Sequence, residues 1–309
     1  MEQRTFIVDE NGEDLRIDKY LALLMEDCSR SYIQKIIGDQ SVTVNGKSVK
    51  ANYKVGIGDA VEIQIPDPVI LDIQPENITL DILYEDDDIL IINKPKDMVV
   101  HPAPGHYTGT LVNAVMYHCG DQLSTINGVL RPGIVHRIDK DTTGVLVICK
   151  NDKAHRAVAE QLAVHSITRA YHAIVYNNIK EDEGTVDAPI GRMDVDRKKM
   201  GINRKNGRHA VTHYRVLERF GRYTYIECRL ETGRTHQIRV HMASIGHPLL
   251  GDTVYGPSKD PFKLEGQALH AKLLGFQHPT TGQYVEFESP LPDYFTALLN
   301  KLRQISGNK

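Results

Sequence analysis

The stretch His136-Arg137-Ile138-Asp139-Lys140-Asp141-Thr142-Thr143-Gly144 runs directly into the apolar segment Val145-Leu146-Val147-Ile148. A loop with charges of both signs, two threonines and a glycine, placed just before a buried strand, is where folded scaffolds present reactive groups. The same residues also suit an ordinary turn, with Asp139 or Asp141 accepting hydrogen bonds from nearby amides. Outward from this loop, short strand-like runs dominate, at 89–92, 145–148, 172–176, 211–217 and 223–230, with Gly, Pro and Asp clusters between them. Helical periodicity is rarer, at 154–164, at 237–245 with Gly246 after it, and at 294–305. Many strands and few helices, not in strict alternation, predict an α+β domain with a mixed, largely antiparallel sheet.

A smaller module precedes it. Ile17, Tyr20, Leu21 and Leu24 fall on one stripe of a short helix. Ser29 is placed to cap a second helix, in which Tyr32, Ile33, Ile36 and Ile37 repeat the stripe and Gly38 ends it. Val42, Val44, Asn45-Gly46 and Val49 then read as a hairpin, because Asn-Gly accepts the positive φ of a tight turn. An alternating strand follows at Val61, Ile63 and Ile65, so the module reads as two helices and then a small sheet. Pro66, Pro68 and Pro75 interrupt regular structure over 66–79, the expected linker, and the domains are set at 1–75 and 76–309.

Composition excludes several classes. The chain of 309 residues is 41% hydrophobic and 25% charged, as in an ordinary globular protein. No apolar run approaches the roughly 20 residues that cross a bilayer, and residues 1–10 do not resemble a signal peptide, so a cytoplasmic location is expected. Cys28, Cys119, Cys149 and Cys228 stand alone and read as small buried side chains. His236 and His241 are five apart with no Glu between them, and His101, His136, His247 and His270 are scattered. These read as structural histidines, and no metal or cofactor is expected. Gly46-Lys47-Ser48 lacks the leading glycine of a P-loop.

The net charge of −3 leaves any phosphate-binding surface to local clusters. One such cluster is Arg192, Arg197, Lys198, Lys199, Arg204, Lys205 and Arg208, a Gly-bearing segment without apolar periodicity. It reads either as a solvated loop or as a strip that meets phosphates. Two more stretches stand out: Asn93-Lys94-Pro95 with Val99-Val100-His101-Pro102, and Thr232-Gly233-Arg234-Thr235-His236-Gln237-Ile238-Arg239-Val240-His241. The latter reads as a helix start, with Thr235 as N-cap and Ile238, Met242 and Ile245 as the buried stripe. Arg239 falls near that helix start, where the dipole disfavours a cation, so an anionic partner is expected.

Together with Arg169-Ala170-Tyr171 and His247-Pro248-Leu249-Leu250-Gly251-Asp252, these stretches resemble in order the motifs of the RluA-type pseudouridine synthases. Ile138 stands at a usual Leu position and Thr143 at one often Ser, both conservative. Arg16-Ile17-Asp18-Lys19-Tyr20-Leu21 and Ser29-Arg30-Ser31 resemble an S4 RNA-binding domain. The pairing is most similar to the RluD and RluC branch, which acts on large-subunit ribosomal RNA.

The resemblance implies a pseudouridine synthase fold, behind an α/β S4 domain, that isomerises uridine without a small-molecule cofactor. It implies Asp139 as the catalytic aspartate, Arg239 as its ion-pair partner and Tyr171 as the ring that stacks on the flipped uracil. It implies that Arg137 is the arginine that enters the RNA stack. Expected RNA contacts also include His136, Arg16, Lys19, Arg30, Lys198 and Lys199. Asp139 must be charged to act, burial disfavours charge, and Arg239 opposes that. The partner is RNA, with no membrane, and the chain is expected to be a monomer. Rival readings are the same chemistry on tRNA, a non-catalytic ribosome-assembly factor, and a metal-dependent hydrolase.

Overall fold

The computed structural model describes residues 2–25, 30–65, 73–102, 106–120, 122–126, 131–193 and 199–307. Contacts divide the chain into two units, Met1–Leu71 and Asp72–Lys309.

The first unit holds β1 (Glu2–Ile7), α1 (Ile17–Leu24), α2 (Arg30–Gly38), β2 (Val42–Val44), β3 (Lys47–Ser48) and β4 (Ala60–Ile65). Its strands pair antiparallel in the order β1-β4-β2-β3. Asn45 and Gly46 take φ of 50° and 75°, the left-handed pair that the hairpin requires. Ile17, Tyr20, Leu21, Ile33, Ile36 and Ile37 pack on Val42, Val44, Val61 and Ile63. Leu24 departs from the expected stripe: it is 45% exposed, and Met25 takes the buried place. The opening strand was not anticipated because, from Gln3 to Ile7, it buries no side chain fully. It is an edge strand held by its backbone pairing with β4. Ser29 and Cys28 lie outside the described residues, as does 66–72 of the expected linker.

The second unit holds β5 (Ile82–Glu85), β6 (Ile89–Lys94), α3 (Leu111–Cys119), β7 (Thr143–Cys149), α4 (Asp152–Ala163) and β8 (Thr168–Tyr176). It continues through β9 (Glu183–Asp187), β10 (Ile190–Arg192), β11 (Met200–Ile202), β12 (Val211–Arg219), β13 (Tyr223–Leu230) and α5 (Gln237–Ser244). β14 (Leu269–Gln277), β15 (Tyr284–Glu288) and α6 (Asp293–Gly307) complete it. Among the described residues the main sheet runs β5-β6-β7-β14-β8-β13-β12-β9, with β15 beside β14. Every pair is antiparallel except β7 with β14, which bears out the mixed, largely antiparallel expectation.

Both faces of the sheet are covered, which is why its central strands read as unbroken apolar runs. Leu90, Ile92, Leu146 and Ile148 face α3 and α5, whereas Ile89, Ile91, Val145 and Val147 face α4. α6 adds Phe295, Leu298, Leu299 and Leu302 against Ile174 and Tyr225. α3 was missed because it has little polar face over its first turns, where Leu111 to Val115 are all buried. Its start is fixed by Thr110, whose hydroxyl accepts from the Asn113 amide while the Asn113 side chain accepts from Thr110 N. Cys119, Cys149 and Cys228 are buried. No described helix is long and apolar enough to cross a membrane.

The β7–β14 junction sets where the loop carrying Asp139 ends. Gly144 has φ 111° and pairs with Ala271. A Cβ at 144 would overlap the Ala271 backbone, so the two strands approach this closely only over a glycine. Gly144→Ala is expected to cost about 1–3 kcal/mol, lowering the melting temperature in calorimetry by several degrees; an unchanged melting temperature contradicts the close approach.

Candidate active site

The residues 135–139, the end of α4, the start of β8, the end of β13 and residues 233–239 enclose a cavity of about 310 Å³. Asp139, Arg239, Tyr171, Arg137 and His136 all line it. These five come from a loop, a strand and a helix, with Asp139 and Arg239 100 positions apart in the chain.

Asp139 sits in a turn closed by the hydrogen bond from Thr142 N to its carbonyl, 3.0 Å. Lys94, wholly buried at the end of β6, pins the next residue. Its Nζ donates to Lys140 O at 2.9 Å, Met98 O at 2.9 Å and Pro95 O at 2.7 Å. All three ammonium hydrogens are thereby used. Burial nonetheless pulls its pKa down to about 7, against the opposing charges of Asp141, Asp139 and Asp97.

The Asp139 side chain is 18% exposed, and its Oδ2 accepts from Arg239 NH1 at 3.0 Å. Arg239 has the anionic partner its position demanded, and a second one. Its Nε and NH2 donate to the two oxygens of Asp252 at 2.6 and 3.0 Å. Asp252 is fully buried and held in turn by the Val254 and Tyr255 amides at 3.0 and 3.2 Å. Burial opposes the guanidinium charge, but Asp252, and after it Asp139, outweigh burial and push the Arg239 pKa up. The guanidinium also lies over the Tyr255 ring, 5.1 Å from its centre.

A second arm reaches the same carboxylate. The Tyr255 hydroxyl accepts from Met200 N at 3.1 Å and lies 2.8 Å from His236 Nδ1. With the phenol hydrogen given to Nδ1, the neutral ring carries its proton on Nε2, which faces Asp139 Oδ1 at 3.8 Å. Burial lowers the His236 pKa over the opposing charge of Asp139, consistent with a neutral ring. His236 adopts φ 57°, a costly value for a residue with a Cβ that is retained where the surroundings enforce it.

His236, not Thr235, occupies the N-cap position of α5 and makes no capping bond with its side chain. The turn is organised by Gln237 instead. Its side chain accepts from Thr232 Oγ1 and Arg234 N and donates to Val211 O and Thr212 Oγ1. Ile245 is 38% exposed rather than part of a stripe, and α5 is buried on every side from Gln237 to Met242.

Tyr171, on β8, is 9% exposed and forms part of the cavity wall, and burial raises its pKa. Arg137 is exposed, with NH1 3.4 Å from His101 Nε2. Its neighbour His136 accepts from Val147 N at 3.2 Å, and burial followed by repulsion from Arg169 holds its pKa near 4. Lys199 is exposed beside β11, and Lys198 lies outside the described residues.

The remaining candidates belong to the first unit and are described by themselves. Asp18 has no exposed side-chain surface and accepts from Arg16, Arg30 and Gln34. Arg16 and Arg30 remain half-exposed, and Lys19 is exposed on α1. One carboxylate thus holds two guanidiniums in place, with one edge of each left outward.

Among the described residues, Glu85, His118 and Cys119 bring possible metal ligands together. Glu85 is already paired with Lys150 and His118 at 2.8 Å each, and burial pushes the Cys119 thiol up to about 11. The set is not prepared for a cation.

Two outcomes follow from these charge arrangements. Asp252→Ala leaves Arg239 half-compensated and is expected to cost about 3–5 kcal/mol in urea unfolding; a loss below 1 kcal/mol contradicts the shared pairing. Burial raises the Asp18 pKa, but Gln34, Arg16 and Arg30 together bring it down to about 2, below the value near 4 of an unfolded chain. Its stabilisation is therefore complete above pH ~4 and is lost as pH falls through about 2. Hydrogen exchange of α1 and α2 should show this acid-labile protection in the wild type and lose its pH dependence in Asp18→Asn.

Residues 88–244 match the model of the RNA pseudouridylate synthase family, and residues 15–61 match the S4 domain. The chain is 55% identical over 304 residues to "Uncharacterized RNA pseudouridine synthase YlyB" of Bacillus subtilis strain 168, covering 98% of this chain and 99% of that protein. It is 47% identical to "Ribosomal large subunit pseudouridine synthase D" of Zymomonas mobilis, covering 94% and 95%. Among solved structures, "Human RNA Pseudouridylate Synthase Domain Containing 1" superposes with a TM-score of 0.57 at 26% identity, covering 74% of this chain and 96% of that one. With the family model spanning half the chain and relatives matching nearly all of it, this protein belongs to the RNA pseudouridine synthases, isomerases that act on RNA.

Proposed function

We propose that this protein isomerises specific uridines of large-subunit ribosomal RNA, with Asp139 as the reacting group. The observation that carries this reading is the Asp139 carboxylate, ion-paired with Arg239 and lining the same cavity as Tyr171. In the reaction the N1–C1′ bond breaks, the uracil turns, and a C5–C1′ bond forms. The C5 proton leaves and N1 gains one, so no electrons are exchanged with another group.

A uridine stacked in a helix cannot reach Asp139, so the nucleotide swings out at a cost of a few kcal/mol. Tyr171 offsets this by stacking on the base, worth about 1–3 kcal/mol. Arg137, exposed at the cavity mouth, fills the space left in the RNA. Arg239 orients the carboxylate and is itself immobilised by Asp252, so little reorganisation remains when the substrate arrives. Residues 1–75 select the RNA through the Arg16–Asp18–Arg30 group, with Lys199 as a further contact. The choice of large-subunit RNA rests on the names of relatives such as those of Zymomonas mobilis and Haemophilus ducreyi.

Asp139→Ala is expected to keep RNA binding and lose all tritium release from C5-labelled uridine in the RNA. Near wild-type release would refute the assignment. Arg239→Lys retains charge without the fork and should lower turnover about 10²-fold through misplacement of the carboxylate. Chemical mapping of pseudouridine in large-subunit RNA from cells with and without the gene tests the substrate. Sites lost from tRNA instead would overturn that choice.

A further inference from the structure

Arg169 is 8% exposed and lines the cavity, two residues before Tyr171 on β8. Among the described residues no carboxylate lies within ion-pair reach of it. One NH2 hydrogen goes to Glu231 O at 2.9 Å, and the Nε–H, closed off from solvent, has no partner. The other deeply placed cations differ: Arg239 has two carboxylates, Lys150 has Glu85, and Lys94 has three carbonyls. A buried guanidinium without an anion is unfavourable, so such a group is kept where an anion arrives.

The cavity as a whole has the same imbalance. Arg137, Arg169, Arg234 and Arg239 line it, against one carboxylate, Asp139, which Arg239 already binds. Arg234 is anchored through Nε to His209 O at 2.9 Å, leaving its other two guanidinium nitrogens free of any described bond. Between the two arginines in sequence, Gly233 leaves room for Arg169: a Cβ there would stand 2.7 Å from NH1. Burial weakens the hold of Arg169 on its proton, Tyr171 opposes this and the like charge of Arg234 adds to it, and an incoming anion would counter that repulsion.

We infer that Arg169 and Arg234 form a phosphodiester subsite within the cavity, which takes a backbone phosphate next to the uridine presented to Asp139. This rests on the uridine reading above. Base and ribose are neutral, so the phosphodiester is the anion that an RNA strand can bring into this space. Guanidinium forks match its two free oxygens. The subsite fixes where along the strand the enzyme reads, and it leaves Asp139 and Arg239 paired with each other.

The test uses the full chain with Arg169→Met, Arg169→Lys and Arg234→Met, and measures filter binding of a large-subunit RNA transcript across a salt series. Arg169→Met should weaken binding by about ten-fold, the loss of one charged hydrogen-bonded contact. The slope of log affinity against log salt should shrink by about 0.7–0.9, one phosphate fewer. Arg169→Lys should restore the slope but only part of the affinity. The melting temperature of Arg169→Met should equal or exceed that of the wild type, because an uncompensated charge has been removed.

A lower melting temperature with an unchanged salt slope in both methionine variants overturns the subsite and makes Arg169 a structural group. If Arg169→Met does not fold, the half-buried Arg234 decides by the same slope. Inorganic phosphate is titrated in parallel: if it competes with RNA for the wild type and not for Arg169→Met, it supports the subsite. Phosphate binding that leaves RNA affinity untouched marks an adventitious ion only and counts against it. Absence of pseudouridine from wild-type reactions speaks against the reaction instead, and the salt slope reads the subsite separately.

Discussion

The Arg239 guanidinium, shared between Asp139 and Asp252, is the interaction on which the site depends. A mostly enclosed guanidinium needs more negative charge than one partly exposed carboxylate supplies. Asp252 meets that need. It is fully buried, bonded to two backbone amides, and takes both of the Arg239 nitrogens that do not face Asp139. Asp139 is thus left with one ion-pair bond through Oδ2, while its Oδ1 faces His236 Nε2 at 3.8 Å.

The scaffold serves this arrangement at several removes. Lys94 ties the end of β6 to the loop after Asp139, and Gly144 lets that loop enter the sheet directly against β14. Gln237 shapes the turn before α5, so Arg239 leaves the helix toward the loop and His236 is forced into a left-handed conformation. Tyr255 joins His236 to the backbone at Met200, at the start of β11. A chain of contacts therefore runs from Asp139 through Arg239, Asp252 and Tyr255 to His236, whose Nε2 stands 3.8 Å from Asp139 Oδ1.

The two units use ionic pairing in opposite senses. In the first, a buried carboxylate, Asp18, organises arginines whose outer edges stay in water. In the second, arginines surround an accessible carboxylate, and an excess of positive charge remains inside the cavity. Both arrangements suit an anionic polymer, and neither requires a basic protein: the chain as a whole carries −3. The local placement of charge, not its total, sets these two patches apart from the rest of the chain.

Apolar periodicity and turn chemistry were enough to read the two helices and hairpin of the first unit, five strands of the sheet, and α4, α5 and α6. These are local properties of the chain, and so is the concentration of reactive residue types in three stretches. β1, α3 and β14 escaped because their character is set by their neighbours. An edge strand with no fully buried side chain has no pattern, and a helix or strand buried all round has no alternation. Within the site, Asp139, Tyr171 and Arg239 were legible by their motifs, as was the need of Arg239 for an anion. That Asp252 would share Arg239, that His236 would turn toward the carboxylate, and that Arg169 would be enclosed without a counter-charge could not be read. Each depends on distances between residues far apart in the chain, and only the packed sheet and α5 determine those.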